Sequence, residues 1–263
     1  MSVLTTLDDI HAVERLRIGD LEEARAIQEM MMPTETLRRG LVTVSHEFHP
    51  AAEVGGDFLD YFELSDGNIG IFVGDVCGKG LPAAMYAALT VGTIRGVHKT
   101  GQMPREVVSL LNQRLLFRGS LRRHCALQYA VYDPRSRQMH ITSAGMPGPL
   151  HLTSKGCRDL KLEDIPPGLF PTTTYEMSTL SLEPGDSVLF YTDGITEAFN
   201  TENEQFGTER LRVLCAAHRT LSASEMLKHV VSSVVTFAHG REQHDDIAAA
   251  LFCLGAALPD SAR

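Results

Sequence analysis

The hydrophobic pattern separates an N-terminal segment, residues 1–32, from the rest of the 263-residue chain. In this segment apolar residues recur every three or four positions, which is the spacing of an amphipathic helix. Gly19 interrupts the pattern, and Asp20 with Glu23 forms a capping-box pattern, so we expect a second helix to begin there. Pro33 is expected to end that helix. The apolar stripe would pack either on its own domain or on a partner copy.

From residue 41 onwards apolar and polar positions mostly alternate, and this period of two predicts strands. The turn residues 65–68 (SDGN) join two of these strands into a hairpin. Two blocks of strands, each followed by a pair of helices, predict an α+β fold: an antiparallel β-sandwich flanked by helices. Predicted strands cover 41–48, 57–64, 68–75, 125–132, 138–143, 148–152, 176–181, 187–192 and 246–253, and predicted helices cover 82–99, 104–118, 207–217 and 222–238.

Composition narrows the classes of protein to which the chain can belong. Acidic residues outnumber basic ones by 33 to 24, and the net charge of −9 argues against a nucleic-acid-binding protein. No apolar run approaches the roughly 20 residues that span a membrane, and the N-terminus lacks the apolar core of a signal peptide. The five cysteines are scattered and form no CxxC pair, which predicts neither a disulfide framework nor a zinc site. We therefore expect a cytoplasmic protein with no membrane partner.

Acidic residues stand at four predicted strand ends or turns. Asp57 and Asp75 belong to the two strands of the predicted hairpin, so we expect them to lie close together; the others are Asp193 and the pair Asp245 and Asp246. Several carboxylates without His or Cys favour hard divalent cations such as Mg²⁺ or Mn²⁺. Two such ions can share a carboxylate and lower the pKa of a bridging water. Each Asp-Gly or Gly-Asp pair, taken alone, is more typical of a simple turn.

Six motifs in this order resemble one family of enzymes. They are EVGGDFLD (53–60), GDVCGKGLPAA (74–84), AGMPGPL (144–150), LEPGDSVLFYTDGITEAFN (182–200), FG (206–207) and HDDIA (244–248). The family is the stage-II-sporulation-E-like, RsbU-like branch of the metal-dependent PPM phosphatases, which are relatives of protein phosphatase 2C. The resemblance runs from about Ala24 to Phe252. It implies a β-sandwich in α-β-β-α layers, with two Mn²⁺ or Mg²⁺ ions at one end of the sandwich.

The resemblance also implies which residues form the site: Asp57, Asp75, Val76, Asp193, Asp245 and Asp246. By motif match, Asp75 would bridge both ions, and Asp57 would hold one side of the cluster, partly through water. The carbonyl group of Val76 would add an oxygen ligand. Asp193 and Asp245 would bind the second ion. The first residue of the terminal acidic pair is preferred as that ligand, and the choice within the pair stays open.

The implied function is hydrolysis of phosphoserine or phosphothreonine by direct attack of a metal-bound hydroxide. By analogy with the family, the phosphorylated protein substrate would be a small bacterial regulator, such as an anti-sigma factor antagonist. We expect three parts of the chain. Residues 1–32 would be a helical linker that contacts a regulatory partner or forms a homodimer, residues 33–255 the PPM-type phosphatase domain, and residues 256–263 a flexible tail.

Departures from the family pattern keep a second hypothesis open. Met146 stands where the family often has His, and Ala248 stands where it often has Thr. Neither position is a predicted metal ligand. The alternative function is a catalytically weak phosphatase-fold module that binds a signalling partner. A nucleotide cyclase with paired metal-binding aspartates is disfavoured, because the chain has no evident base-recognition pattern.

Overall fold

Two antiparallel β-sheets form the body of the protein, as seen in a computed structural model that describes residues 7–98, 103–116 and 123–255. In this part of the chain the elements are α1 (Leu7–Met31), β1 (Leu37–Arg39), β2 (Val42–His49), β3 (Phe58–Glu63), β4 (Ile69–Val76), α2 (Leu81–Val97), α3 (Pro104–Leu116), β5 (Cys125–Asp133), β6 (Gln138–Ala144), β7 (Leu150–Thr153), β8 (Gly156–Asp159), β9 (Ser178–Ser181), β10 (Ser187–Tyr191), α4 (Asp193–Thr196), α5 (Gly207–Ala217), α6 (Ala223–Ala238) and β11 (Ile247–Leu254). One sheet has the strand order β3-β4-β5-β6-β9, and the other has the order β1-β2-β11-β10-β7-β8.

The layer arrangement follows from where the apolar side chains are buried. A larger core fills the space between the sheets and beneath α2 and α3, and it includes Phe72, Tyr129 and Phe252. A smaller core lies between the other face of the six-stranded sheet and the pair α5 and α6, and it includes Tyr191 and Leu227. Strands with both faces covered are apolar along their length, as β4 and β11 are. The predicted α+β sandwich in α-β-β-α layers is therefore confirmed.

The starts of helices α2 and α6 lie where proline and capping residues in the sequence predicted them. Pro82 lies in the first turn of α2, where its missing N–H leaves no hydrogen bond unmade. Ser222 and Glu225 form a complete capping box at the start of α6, in which the Ser222 hydroxyl accepts from the Glu225 N–H. Strands β1 and β8 and helix α4 were not predicted, because elements of three or four residues are too short to show a period.

The expected break at Gly19 is wrong, because α1 runs without interruption from Leu7 to Met31. A glycine inside a helix costs about 1 kcal/mol relative to alanine, which weakens a helix but does not end it. The side chain of Asp20 is exposed, and no second helix starts there. The predicted tail, residues 256–263, lies outside the described residues.

The topology brings the ends of several strands to one edge of the sandwich. β10 and β11 pair antiparallel with Tyr191 opposite Ala249, so the end of β10 and the start of β11 lie side by side. In the other sheet, Phe58 at the start of β3 pairs with Gly74 near the end of β4. The acidic residues that flank these strands therefore lie at their adjoining ends. Within the described residues no helix has the length and apolar character needed to cross a bilayer.

Candidate functional site

The β3–β4 hairpin places Asp57 beside Asp75, as the sequence led us to expect. Because Phe58 pairs with Gly74, the two aspartates stand opposite each other at the open end of the hairpin. Asp57 is only 2% exposed. Its Oδ2 accepts a hydrogen bond of 2.7 Å from the hydroxyl group of Thr192. The hairpin therefore holds two acidic groups together in a largely dry environment.

Burial and mutual repulsion raise the pKa of these carboxyl groups. The pKa of Asp75 rises to about 7, first because the group is buried and then because Asp193, Asp245 and Asp246 are negatively charged. Burial, followed by the charges of Asp75 and Asp246, raises the pKa of Asp57 well above its ordinary value. Within the described residues the only cationic side chain paired with these aspartates is the exposed Lys79, beside Asp245, so the buried carboxyl groups of Asp57 and Asp75 have no positive charge next to them.

Asp193 joins the cluster from the six-stranded sheet. It is the first residue of the short helix α4, directly after Thr192, which is fully buried. Burial raises the pKa of Asp193, and the charges of Glu197 and Asp245 raise it further. Its position beyond the end of β10 brings an acidic side chain from one sheet towards the hairpin of the other.

The terminal acidic pair divides into two different environments. Asp246 is 8% exposed, and its carboxylate accepts backbone N–H bonds from Ala51 at 2.8 Å, Gly56 at 2.6 Å and, more weakly, Asp57 at 3.4 Å. The Asp246 carboxylate therefore holds the loop that precedes Asp57 in place through these hydrogen bonds. The Asp245 side chain is 38% exposed, and its Oδ2 lies 3.7 Å from the ammonium group of Lys79.

Glycines allow the loops of the site to approach one another closely. A Cβ atom on Gly56 would lie 2.8 Å from the carbonyl oxygen of Val76 and 3.1 Å from a carboxylate oxygen of Asp75. A Cβ atom on Gly194 would lie 1.9 Å from the carbonyl oxygen of Asp246. Both contacts are too short for any side chain, so these positions require glycine. The Val76 carbonyl group thus lies next to the Asp75 carboxylate.

The chemistry of this donor set fits hard divalent cations. All of the donors are oxygens, and the carboxylates repel each other in a buried place where a cation would offset their charge. As the side chains stand, however, no group of three or more His, Cys, Asp or Glu residues in the described ranges is arranged to hold a metal ion. The predicted metal ligands therefore stay predictions: Asp57, Asp75, Val76, Asp193, Asp245 and Asp246.

The departures from the family pattern have clear structural settings. Ala248 is fully buried, and its N–H donates to the Thr192 hydroxyl group at 2.9 Å. That hydroxyl also donates to Asp57, so the residue before Asp193 supplies a hydroxyl group at this point of the site. Met146 is 8% exposed and packs in the larger core. Neither side chain contributes a polar group.

Sequence reasoning missed two residues that organise the site. Thr192 was passed over, although it directly precedes Asp193 in YTDG. Gln28 is 3% exposed; its amide donates to the Gly55 carbonyl at 2.8 Å and accepts from the Gly55 N–H at 3.0 Å. A polar residue on the buried face of a predicted helix was the available signal, but its partner lies 27 residues further along the chain.

Solved structures show the same architecture. The SiaA PP2C domain of Pseudomonas aeruginosa matches with a TM-score of 0.79 and 22% identity, over 92% of this chain and 98% of that one. The PP2C domain of the Bacillus subtilis cell-fate determinant SpoIIE, with a fragment of its regulatory domain, matches with a TM-score of 0.72 and 16% identity, over 83% of this chain and 64% of that one. RsbX in complex with magnesium matches with a TM-score of 0.65 and 14% identity, over 84% and 99%. The fold is therefore that of PP2C-like phosphatases.

Sequence comparison gives the family. Protein IcfG of Synechocystis sp. is 28% identical over 87% of this chain, which spans 40% of the length of that protein. The phosphoserine phosphatase RsbU of Bacillus subtilis is 26% identical over 87% of this chain and 68% of its own length. The family profile of Stage II sporulation protein E (SpoIIE) matches residues 65–254, which is more than half of the chain. This match shows that the chain belongs to the SpoIIE family, and its two-sheet architecture is the fold of the PP2C-like structures described above.

Proposed function

We propose that the chain is an active, metal-dependent serine/threonine phosphoprotein phosphatase of the cytoplasm. The observation that carries this proposal is the carboxylate cluster formed by Asp57, Asp75, Asp193 and Asp245 at one edge of a phosphatase fold. Like-charged groups that raise each other's pKa in a partly buried site are typical of functional centres. The five cysteines are all free thiols, which agrees with a reducing compartment.

The residues of the chain would hold divalent cations, Mn²⁺ or Mg²⁺, through oxygen atoms. We assign Asp57, Asp75, Asp193, Asp245 and the Val76 carbonyl group to this role, and Asp246 to holding the adjacent loop. The partly exposed Asp245 carboxylate supports that division, because the Asp246 carboxylate already accepts backbone N–H groups. Bound cations would activate the attacking water and offset the charge of the phosphate. No covalent enzyme intermediate is required.

The proposed substrate is phosphoserine or phosphothreonine on a small bacterial regulator, such as an anti-sigma factor antagonist. The named relative RsbU is a phosphoserine phosphatase, and a solved relative contains the RsbU and RsbW domains of one Mycobacterium tuberculosis protein. This part of the proposal rests on similarity to these relatives, because a carboxylate cluster alone does not identify a protein substrate.

The N-terminal segment is the proposed contact for a regulatory partner or a second copy. Its C-terminal part is tied to the phosphatase body through Gln28. On the same helix Leu16, Ile27 and Met30 are 70%, 55% and 80% exposed, and exposed apolar side chains on one helix favour a further contact. We therefore propose that residues 1–32 form a linker distinct from the phosphatase domain.

Hydrolysis of p-nitrophenyl phosphate with Mn²⁺ tests the activity. We expect turnover that EDTA abolishes and that Asp75→Asn lowers at least 100-fold, because the substitution removes a charge from the centre of the cluster. Asp66→Asn is the matched control, since Asp66 lies in the exposed β3–β4 turn and should leave the rate unchanged. Calorimetry with Mn²⁺ separates the alternatives: metal binding without turnover would favour the catalytically weak binding module, and no metal binding would refute the site.

A further inference from the structure

A cavity of about 250 Å³ adjoins the carboxylate cluster on the side of Asp245. It lies between the end of α6, the loop 240–245 that follows it, and the segment 197–199 after α4. Val234 and Ile247, both nearly fully buried, belong to its lining, as do Phe199, Val235 and Ala238. The lining is therefore mostly apolar at a place where the protein meets solvent.

Side-chain contacts hold the walls of this cavity in place. The guanidinium group of Arg241 lies 5.3 Å from the ring centroid of Phe199 and donates to Asn200 O and Asn203 Oδ1, each at 2.8 Å. The ring of His244 meets Phe199 edge-on at 6.2 Å. These contacts join the loop 240–245 to the segment 197–199 and so hold two walls of the cavity together.

The loop 240–245, which lines the cavity, also connects it to the candidate catalytic residues. Gly194 and Asp245 line the cavity and also belong to the carboxylate site. The Gln243 amide donates to the Asp245 carbonyl oxygen at 2.8 Å, and the Lys79 ammonium donates to the His244 carbonyl oxygen. A phosphoserine bound through cations that these carboxylates would hold therefore has its neighbouring residues close to the cavity, because Asp245 and Gly194 belong to both places.

We infer that this cavity binds an apolar side chain that neighbours the phosphoserine in the substrate protein. The inference rests on the proposed function and adds a specificity determinant to it. The volume is below the roughly 300–1,000 Å³ typical of drug-sized ligands and suits a single side chain. The lining contains three acidic residues, Glu197, Glu242 and Asp245, against one basic residue, Arg241, so the excess of negative charge disfavours an acidic neighbour.

Phosphoserine peptides test the cavity directly. Otherwise identical peptides carry Leu, Gly or Asp at one position, either directly before or directly after the phosphoserine. For each peptide kcat/KM is measured with Mn²⁺. At one of these positions we expect Leu to exceed Gly about tenfold and Asp to be poorest, because filling an apolar pocket gains roughly this factor. Ala238→Trp, which fills the cavity, and Val235→Asp, which charges it, should each reduce the Leu-to-Gly ratio to about one.

Val213→Asp is the matched control for Val235→Asp. Val213 lies on α5 away from the cavity and is 60% exposed, against 61% for Val235. The control should keep the wild-type ratio, and because each ratio compares two peptides on one preparation, partial unfolding of a variant cancels.

If wild type hydrolyses p-nitrophenyl phosphate but shows no Leu preference, or if Val235→Asp keeps that preference, the cavity inference is wrong and the phosphatase function stands. If wild type hydrolyses neither substrate type, both are wrong.

Discussion

At the scale of single residues, one hydroxyl group connects the two sheets at the site. Thr192 lies at the end of β10, and its Oγ1 donates to Asp57 at the start of the β3–β4 hairpin. The same oxygen accepts from the Ala248 N–H on β11. All three residues are buried, so water cannot replace either bond. The Thr192 hydroxyl therefore orients Asp57, a predicted metal ligand. It also provides the hydrogen-bond acceptor for the buried Ala248 N–H.

Replacing Thr192 by Val tests this connection, since the two side chains have nearly the same shape. The variant leaves the Asp57 carboxylate and the Ala248 N–H without a partner. We expect the free energy of unfolding, measured by urea denaturation, to fall by about 1–3 kcal/mol. Thr93→Val is the control, because the Thr93 hydroxyl bonds only within an exposed helix turn, and the change should stay within about 0.5 kcal/mol. Equal losses in the two variants would contradict the assigned role.

At the scale of elements, helix α1 is joined to the phosphatase body at its C-terminal end. The Gln28 amide satisfies both backbone groups of Gly55, two residues before Asp57. Close by, Arg95 on α2 donates to the Met31 carbonyl at 2.6 Å and pairs with Asp60 at 2.7 Å. A displacement of the end of α1 would therefore reach the loop that positions the first acidic residue of the site.

The variant Gln28→Ala should weaken metal binding without touching any predicted ligand. It leaves the buried Gly55 N–H and carbonyl groups unpaired, which loosens the loop before Asp57. We expect the Kd for Mn²⁺, measured by calorimetry, to rise about tenfold, the lower end of the usual effect of groups that orient metal ligands. Glu29→Ala is the control, because the Glu29 side chain pairs only with Arg25 at the surface. An unchanged Kd in Gln28→Ala would show that α1 does not support the site.

Elements were predictable where they are long enough to show an apolar run or carry a capping signal. β4 and β11 show their apolar character over eight residues, and Ser222 with Glu225 marks the start of α6. The single helix α1 was not predictable from Gly19, because the cost of one glycine is small compared with the packing of a long helix. In the site, acidic residues beside glycine were visible in the sequence. The Gln28 and Thr192 contacts were not, because they join residues 27 and 135 positions apart.

At the scale of the whole molecule, a chain of hydrogen bonds connects the two sheets on the side of α1. His46 on β2 contacts the Tyr61 hydroxyl on β3 through Nδ1 at 2.9 Å, and that hydroxyl donates to the Glu35 carbonyl at 2.8 Å. Because the Tyr61 proton is used in the second bond, His46 Nδ1–H is the donor in the first. Burial lowers the pKa of His46, although the nearby Glu47 and Asp60 charges oppose this shift.

The lowered pKa of His46 makes the stability of the whole fold depend on pH. Between its folded pKa and its unfolded value of about 6.5, the unfolded chain binds more protons than the folded one. This contribution is therefore complete above the unfolded value and is lost as the pH falls through the folded pKa. Without added metal, the raised pKa values of Asp57 and Asp75 change the stability in the opposite sense over this window, so the His46 contribution is isolated by comparison with His46→Gln. We expect the unfolding free energy of wild type minus that of His46→Gln, measured by urea denaturation, to decrease as the pH falls through the window. A difference that does not change with pH would contradict the assignment.

The central place of β11 also has a consequence for how the protein is made. This strand pairs with β2 on one side and β10 on the other, and the two residues before it are the terminal acidic pair. During synthesis, β2 and β10 emerge from the ribosome first and stay separated until the strand between them arrives. The six-stranded sheet and the carboxylate site are therefore completed together, in one late step of long loop closure. A nascent chain that stops before residue 245 lacks β11 and the acidic pair, so the six-stranded sheet and the carboxylate cluster are complete only when synthesis has passed β11.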